Sequence, residues 1–283
     1  MVIFNRLAEA LRTDRPVALV TRLDGPHAGA KLLVFEDEHA GDLGSAGLNN
    51  AAVREARALL AVGQNALRSF GEDGEPVGTD VRLFIAAYAP KPAMYVFGAI
   101  DFSRAMARIG KYLGYRVTVV DARPVFATKA RIPDADEIVV SWPDEFLAGA
   151  PVDARTALVI LTHDVKFDIP LLRVALRTDA GFIGAMGSRR THAARVEALR
   201  AAGVTGDELA RICAPIGLDI GGDTPEEMAI AVAAEIVAVR SGRSGGRLRD
   251  GSNAIHSASG GIVFCVILAA GASARMGKQK VAL

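Results

Sequence analysis

The chain has 283 residues, 51% of them hydrophobic, with 33 Lys and Arg against 32 Asp and Glu and a formal net charge of +1. That balance gives no electrostatic ground for a nucleic-acid or membrane partner, and the length allows one or two domains with a sizeable core. Only two cysteines occur, Cys213 and Cys265, both in apolar stretches. A disulfide framework and a four-cysteine metal site are therefore excluded, and no metal site is expected. The opening run Met1-Val-Ile-Phe-Asn-Arg lacks the basic region and apolar core of a secretory signal. The most apolar windows, residues 157–162 and 262–270, fall well short of the roughly 20 residues a membrane span needs. A soluble, cytoplasmic protein is expected.

Taken in order, an amphipathic helix with Leu7, Ala8 and Leu11 on one side leads to a β-like run from Pro16 to Thr21. A second strand is expected over Lys31–Glu36, a helix over Ala51–Val62 and another strand over Val81–Ala87, which together read as a small α/β or α+β layer. Pro90-Lys-Pro92 then marks a boundary. Beyond it, strands are expected at Met94–Gly98, Arg116–Asp121, Glu137–Val140, Thr156–Thr162 and Gly181–Gly184, with helical segments between most of them. The β-branched run before Asp121 does not alternate, as fits a strand covered on both faces. Phe102, Ala105, Met106, Ile109 and Leu113 share a helix face, with Asp101 the expected N-cap and Gly114 the stop. Ser188–Ala202 carries Val196 and Leu199 inward, and Gly203 ends it. Thr224-Pro225-Glu226-Glu227 has the form of a capped helix start, and Met228, Ala231, Val232, Glu235, Ile236 and Val239 follow at helical spacing. The alternation implies an α/β fold: a Rossmann-like parallel-sheet domain over residues 92–240, preceded by a smaller α/β N-terminal domain over residues 1–89.

In such sheets ligands bind outside the carboxyl ends of the strands, and polar residues and glycines collect there. Gly98 closes the first strand of this sheet, Asp121 and Arg123 follow the second, His163 and Asp164 the fourth, and Gly187-Ser188-Arg189-Arg190 the fifth. Asp121 stands at the offset from Gly98 of an acid that holds a ribose hydroxyl. The turn itself is poor in glycine, because Ile100 and Asp101 stand where backbone and pyrophosphate need to approach, which disfavours ordinary dinucleotide binding. Arg189 and Arg190 in a first helical turn oppose the helix dipole, and with the free N–H groups and Ser188 they make a candidate anion clamp. No zinc-protease, P-loop or nucleophile-elbow motif occurs, and no catalytic residue is assigned.

Residues 241–261, rich in Ser, Gly and Arg, have the composition of a flexible linker. A new apolar strand is then expected at Ile262–Ala270, followed by a glycine-rich turn with Gly271, Ser273, Arg275, Gly277, Lys278 and Lys280. Such a turn can wrap the phosphates of a nucleoside triphosphate, with Arg275 and Lys280 neutralising charge. The remaining length is too short to complete a domain, so residues 262–283 are expected to be a truncated one.

The runs Val117-Thr-Val-Val-Asp-Ala-Arg-Pro-Val-Phe-Ala-Thr, Ala135-Asp-Glu, Leu161-Thr-His-Asp, Gly184-Ala-Met-Gly-Ser-Arg-Arg-Thr-His and Ala214-Pro-Ile-Gly-Leu-Asp-Ile-Gly resemble the XdhC/CoxI family, the xanthine dehydrogenase accessory proteins. The run Leu268–Lys280 is similar to the opening of MobA-like nucleotidyltransferases, which are fused to XdhC in related proteins. The resemblance implies binding of molybdenum cofactor (molybdopterin), and its maturation and insertion into a molybdenum hydroxylase of the xanthine dehydrogenase or CO dehydrogenase type. A homodimer is expected. An accessory role is implied rather than an enzyme, with CTP or GTP and Mg entering only if the C-terminal domain is complete.

Two places depart from the family pattern. A Ser-Gly-Gly-Cys-Val-Glu stretch is matched here by Gly44-Ser-Ala-Gly47-Leu-Asn49, without the thiol, and a Gly-Ala-Gly-His turn becomes Gly98-Ala-Ile100-Asp101. Two other readings stay open: an NAD(P)-dependent oxidoreductase, on the position of Asp121, and a scaffold that docks the partner enzyme without cofactor, on the missing cysteine at Gly47.

Overall fold

The computed structural model of the protein describes residues 2–78, 80–162 and 164–252. Helix α1 (Val2–Arg12) precedes strands β1 (Val17–Arg22), β2 (Lys31–Val34) and β3 (His39–Gly41), helix α2 (Ala46–Val62), and strands β4 (Ala66–Phe70) and β5 (Val81–Tyr88). These strands form an antiparallel sheet in the order β3-β2-β1-β5-β4. Helix α2 covers one face through Leu48, Ala52, Val53, Ala56 and Leu59, packed on Val20, Val34, Leu83 and Ile85. Helix α1 sets Leu7 and Ala10 against Val17, Leu19 and Leu33 on the other. With both faces covered, β1 is buried almost throughout, so it lacks the polar alternation of an exposed strand.

The second part is a parallel sheet. It comprises β6 (Ala93–Phe97), α3 (Asp101–Tyr112), β7 (Arg116–Asp121), β8 (Glu137–Val140), α4 (Pro143–Gly149), β9 (Ala157–Ile160), α5 (Val165–Ala175), β10 (Phe182–Ala185), α6 (Arg189–Ala201), α7 (Gly206–Leu209), β11 (Ile212–Cys213) and α8 (Pro225–Arg240). The order β11-β10-β9-β6-β7-β8 is that of a doubly wound Rossmann fold, and the strand pairs are parallel. Helices α3 and α8 pack on one face through Met106, Val232 and Ile236, and α5 and α6 pack on the other through Leu171, Leu172 and Leu199. The expected α/β class and its Rossmann-like half are therefore observed, and the N-terminal layer is of the antiparallel kind.

Several local expectations change. Strands β3 and β4 are additional to those expected: β3 has no buried residue, and in β4 only the end residues Ala66 and Phe70 are buried. Helix α2 begins five residues earlier than its apolar spacing suggested, because the Ser45 hydroxyl accepts the Leu48 N–H and sets the start there. Asp101 is not a cap: Ile100 holds that position, Asp101 is the first helical residue, and the Ser103 hydroxyl bridges the Ile100 N–H and the Gly98 carbonyl. Val239 turns outward, leaving the inner face of α8 to Ala229, Ala231, Val232, Ala233, Ile236 and Ala238. The capping box of Thr224 and Glu227 forms as the sequence indicated. Of the linker, residues 241–252 are described, with a 3-10 turn at Leu248–Asp250. His163, Cys265 and the candidate nucleotide turn with Gly271, Ser273, Arg275 and Lys280 lie outside the described residues.

Candidate functional site

The strand order reverses between β6 and β9, and that switch point is where the candidate residues converge. Gly98 follows β6 with φ at +101°, and a Cβ there would stand 2.9 Å from Cγ2 and 3.2 Å from the backbone N of Thr162, just beyond β9. Only glycine meets both demands, so Gly98 lets the ends of the two adjoining strands come into direct contact.

Asp121 ends β7 with its side chain 3% exposed. One carboxylate oxygen accepts the Ala99 N–H at 2.7 Å and Arg123 Nη2 at 2.8 Å, and the other accepts the N–H and Nε of Arg123, each at 2.9 Å. Burial pushes this carboxyl upward, but the hydrogen bonds from Arg123 and Ala99 outweigh it and hold it below the ordinary aspartate value. Both oxygens are thus committed to the protein, one of them tying the turn after β6 to the end of β7. The Arg123 guanidinium also lies 4.5 Å over the Phe126 ring and feels the charge of Asp164 across the sheet edge. Asp164 itself caps α5 by accepting the Lys166 N–H at 3.0 Å.

At the end of β10, Ser188 caps α6 by accepting the Thr191 N–H at 3.1 Å. The N–H groups of Arg189 and Arg190 at the head of α6 have no acceptor within the helix. Both side chains are exposed, and neither guanidinium has an ion-pair partner among the described residues. From β7 to β10 is three strand spacings, about 14 Å, so the Arg123 and Arg189/Arg190 groups flank the crevice rather than touch.

Sequence reasoning missed the group beneath this rim. Asp168 on α5 and Arg195 on α6 form an ion pair at 2.6 Å with each side chain 3% exposed. The Thr162 hydroxyl donates to the other Asp168 oxygen at 2.5 Å, and Arg195 Nη2 also donates to the Met186 carbonyl at 3.0 Å. These contacts tie the carboxyl ends of β9 and β10 together. A signal was present: Asp168 stands within the apolar series Phe167, Leu171 and Leu172, and Arg195 precedes Leu199 by one helical turn.

In the N-terminal part, buried Arg22 donates to the Asp24 and Leu43 carbonyls and to both Glu72 oxygens, joining the turns around residues 43 and 72. Between them, a Cβ on Gly47 would lie 2.1 Å from the Asp73 carbonyl oxygen. The backbone of the 71–75 turn fills the space that a side chain at 47 would need.

A groove of about 1860 Å³ opens elsewhere, among Gly63, Leu113, Tyr115, Thr156, Gly181 and Val237. Tyr115, Thr156 and Gly181 precede their strands, so it lies at the amino ends of the sheet, opposite the crevice. Among the described residues, no group of three or more His, Cys, Asp or Glu could hold a metal ion, and no helix is long and apolar enough to cross a membrane.

Strand order and connectivity define a doubly wound α/β domain preceded by an antiparallel one. Residues 94–236 match the XdhC Rossmann domain and residues 10–71 match the XdhC and CoxI family. The chain belongs to the XdhC and CoxI family. It is 30% identical over 159 residues to a probable xanthine dehydrogenase subunit of Bacillus subtilis (strain 168), covering 56% of this chain and 46% of that protein. It is 26% identical over 163 residues to the molybdenum cofactor insertion chaperone PaoD of Escherichia coli (strain K12), covering 58% and 45%. Identity to the uncharacterized protein YqeB of the same organism is 26% over 266 residues, covering 89% and 49%. The chain thus spans about half the length of these relatives. A crystal structure of a xanthine dehydrogenase from Bacillus halodurans shares the fold with a TM-score of 0.51 at 21% identity, covering 84% of this chain and 96% of that one.

Proposed function

We propose that this protein binds molybdenum cofactor at the carboxyl edge of its parallel sheet, and serves the maturation and insertion of that cargo into a molybdenum hydroxylase of the xanthine dehydrogenase or CO dehydrogenase type. The observation that carries the reading is the head of α6: two exposed guanidiniums without an ion-pair partner among the described residues, and two free N–H groups, beside a capped helix start. Helix dipole and guanidinium forks both favour a phosphate there, and molybdopterin carries one. Family membership and the chaperone role of the PaoD relative point the same way. In this reading Gly98, Asp121 and Arg123 form one wall of the site, Asp164 stands at its centre and Gly187–Arg190 form the phosphate wall; His163, a candidate from the sequence, is proposed as a further ligand-binding residue. The protein acts as a homodimer, with residues 1–89 and 92–240 as its two domains, 241–261 as a linker and 262–283 as the start of a MobA-like domain. The test is retention of molybdopterin by the purified protein on a size-exclusion column. Wild type retains it and Arg189→Ala retains less; no retention by either contradicts the reading.

One observation favours a second reading. The packed backbone at Gly47 leaves no room for a side chain, which suits a scaffold whose N-terminal domain docks the partner enzyme without holding cofactor. Capture of a molybdenum hydroxylase by a protein free of pterin supports that alternative. An NAD(P)-dependent oxidoreductase fits less well, since Asp121 has no free oxygen for a ribose diol. Saturable NADH fluorescence would revive it.

A further inference from the structure

The Arg195 guanidinium carries an unfinished set of bonds. Helical side chains lean toward the N-terminus, and Arg195 reaches back along α6 so that Nη2 bonds the Met186 carbonyl and lies 3.7 Å from the point a Gly187 Cβ would occupy. It therefore sits directly beneath the mouth of the helix. Nη1 is buried and has no hydrogen-bond partner among the described residues, and one turn earlier His192 Nδ1 is buried and unpartnered as well. A buried polar atom without a partner is costly, the more so when charged, and two of them one helical turn apart are unusual in a native fold.

We infer that Arg195 and His192 form the inner half of an anion site at the head of α6, built for a dianionic phosphoryl group, with Arg189 and Arg190 as its outer half. The inference rests on the proposed crevice and specifies the chemistry of its phosphate wall. The charges agree: Arg189, Arg190 and Arg195 bring three cations, Asp168 on α5 cancels one, and a phosphate monoester or pyrophosphoryl group carries close to two negative charges. A carboxylate carries one and has no third oxygen for the inner donors. Gly187, with φ at +141°, is the joint that lets the Met186–Ser188 turn admit a phosphoryl oxygen to Nη1. Desolvation and the Arg195 charge hold the His192 imidazole below its ordinary value, and an anion bound beside Arg195 would offset the second of these.

The test is NMR of the histidine Cε1–H signals of the full chain, titrated with pH in the absence and presence of sodium pyrophosphate, with His192→Gln assigning the signal. Pyrophosphate is expected to raise the His192 midpoint, and acetate at the same concentration and ionic strength to leave it in place. Arg195→Lys keeps the charge beside Asp168 but loses the fork, and is expected to weaken pyrophosphate binding about tenfold, the loss of one charge-assisted hydrogen bond. Arg200→Ala, at the far end of α6, is expected to bind as wild type. An unmoved His192 midpoint in wild type overturns the inference whatever the arginine variants do. So does equal binding by acetate. Molybdopterin retention measured in parallel separates the two ideas: retention with an unmoved His192 removes this inference alone, and a pyrophosphate response without retention removes the cargo alone.

Discussion

Asp168 and Arg195, from consecutive helices on one face of the sheet, meet at 2.6 Å with both side chains out of solvent, and through Thr162 and Met186 they fasten two neighbouring strand ends. Removing one partner leaves a buried, unpaired charge. Asp168→Ala should therefore lower unfolding free energy by roughly 3–5 kcal/mol. Urea denaturation measures it, and a loss under about 1 kcal/mol would mean that water reaches Arg195 in the native state.

Gly47→Cys tests the N-terminal domain. With a backbone oxygen 2.1 Å from the new Cβ, the 71–75 turn must move, at a cost of roughly 1–3 kcal/mol. The variant is expected to melt below wild type and to gain no molybdopterin retention. A stable variant with tighter retention would show that the domain keeps a latent thiol site.

Asp121 has a folded pKa below its ordinary value, so its stabilisation is complete above the unfolded value, about 3.9, and is lost as pH falls through the folded one. Asp121→Asn should be less stable than wild type at neutral pH by roughly 1–3 kcal/mol, for lost charge-assisted bonds. The gap should narrow as pH falls below about 4, where the unfolded chain takes up a proton that native wild type accepts only at its lower folded value. Urea midpoints of both proteins across that range are the check, and a gap independent of pH would contradict the assignment.

Cys213 is half-buried, and burial, with Glu235 nearby, pushes its thiol up to about 11. The thiolate is the reactive form, so in a Cys265→Ser background the native protein should react with iodoacetamide at pH 8 on the order of tenfold or more slowly than the unfolded chain. Equal rates would place the thiol in solvent.

Much of this was legible in the sequence because of local rules. The unbroken β-branched run before Asp121 and the Thr224–Glu227 capping box each depend on residues a few positions apart. The strand tips followed from those, and with them the place of Gly98, Asp121 and Ser188. What escaped depends on distant partners. Nothing near β4 announces a strand, since its hydrogen bonds come from β5. Asp168 and Arg195 are 27 residues apart and read separately as a charged helix residue each. The commitment of Asp121 to Ala99, 22 residues earlier, is equally invisible to spacing, which indicated the acid but not that its oxygens were taken. At Gly47 the missing side chain was visible, but the turn that fills its place was not.

In the proposed function the arginine pair at the head of α6 holds the phosphate of the cargo. Trp142, the single tryptophan, stands at the carboxyl end of β8 on the same sheet edge and serves as the probe. Its fluorescence is followed as molybdopterin is added to wild type, to Arg189→Ala/Arg190→Ala and to the remote Arg249→Ala. A saturable response is expected, with a Kd raised about tenfold or more in the double variant and unchanged in the remote one. The same Kd in all three proteins would contradict it.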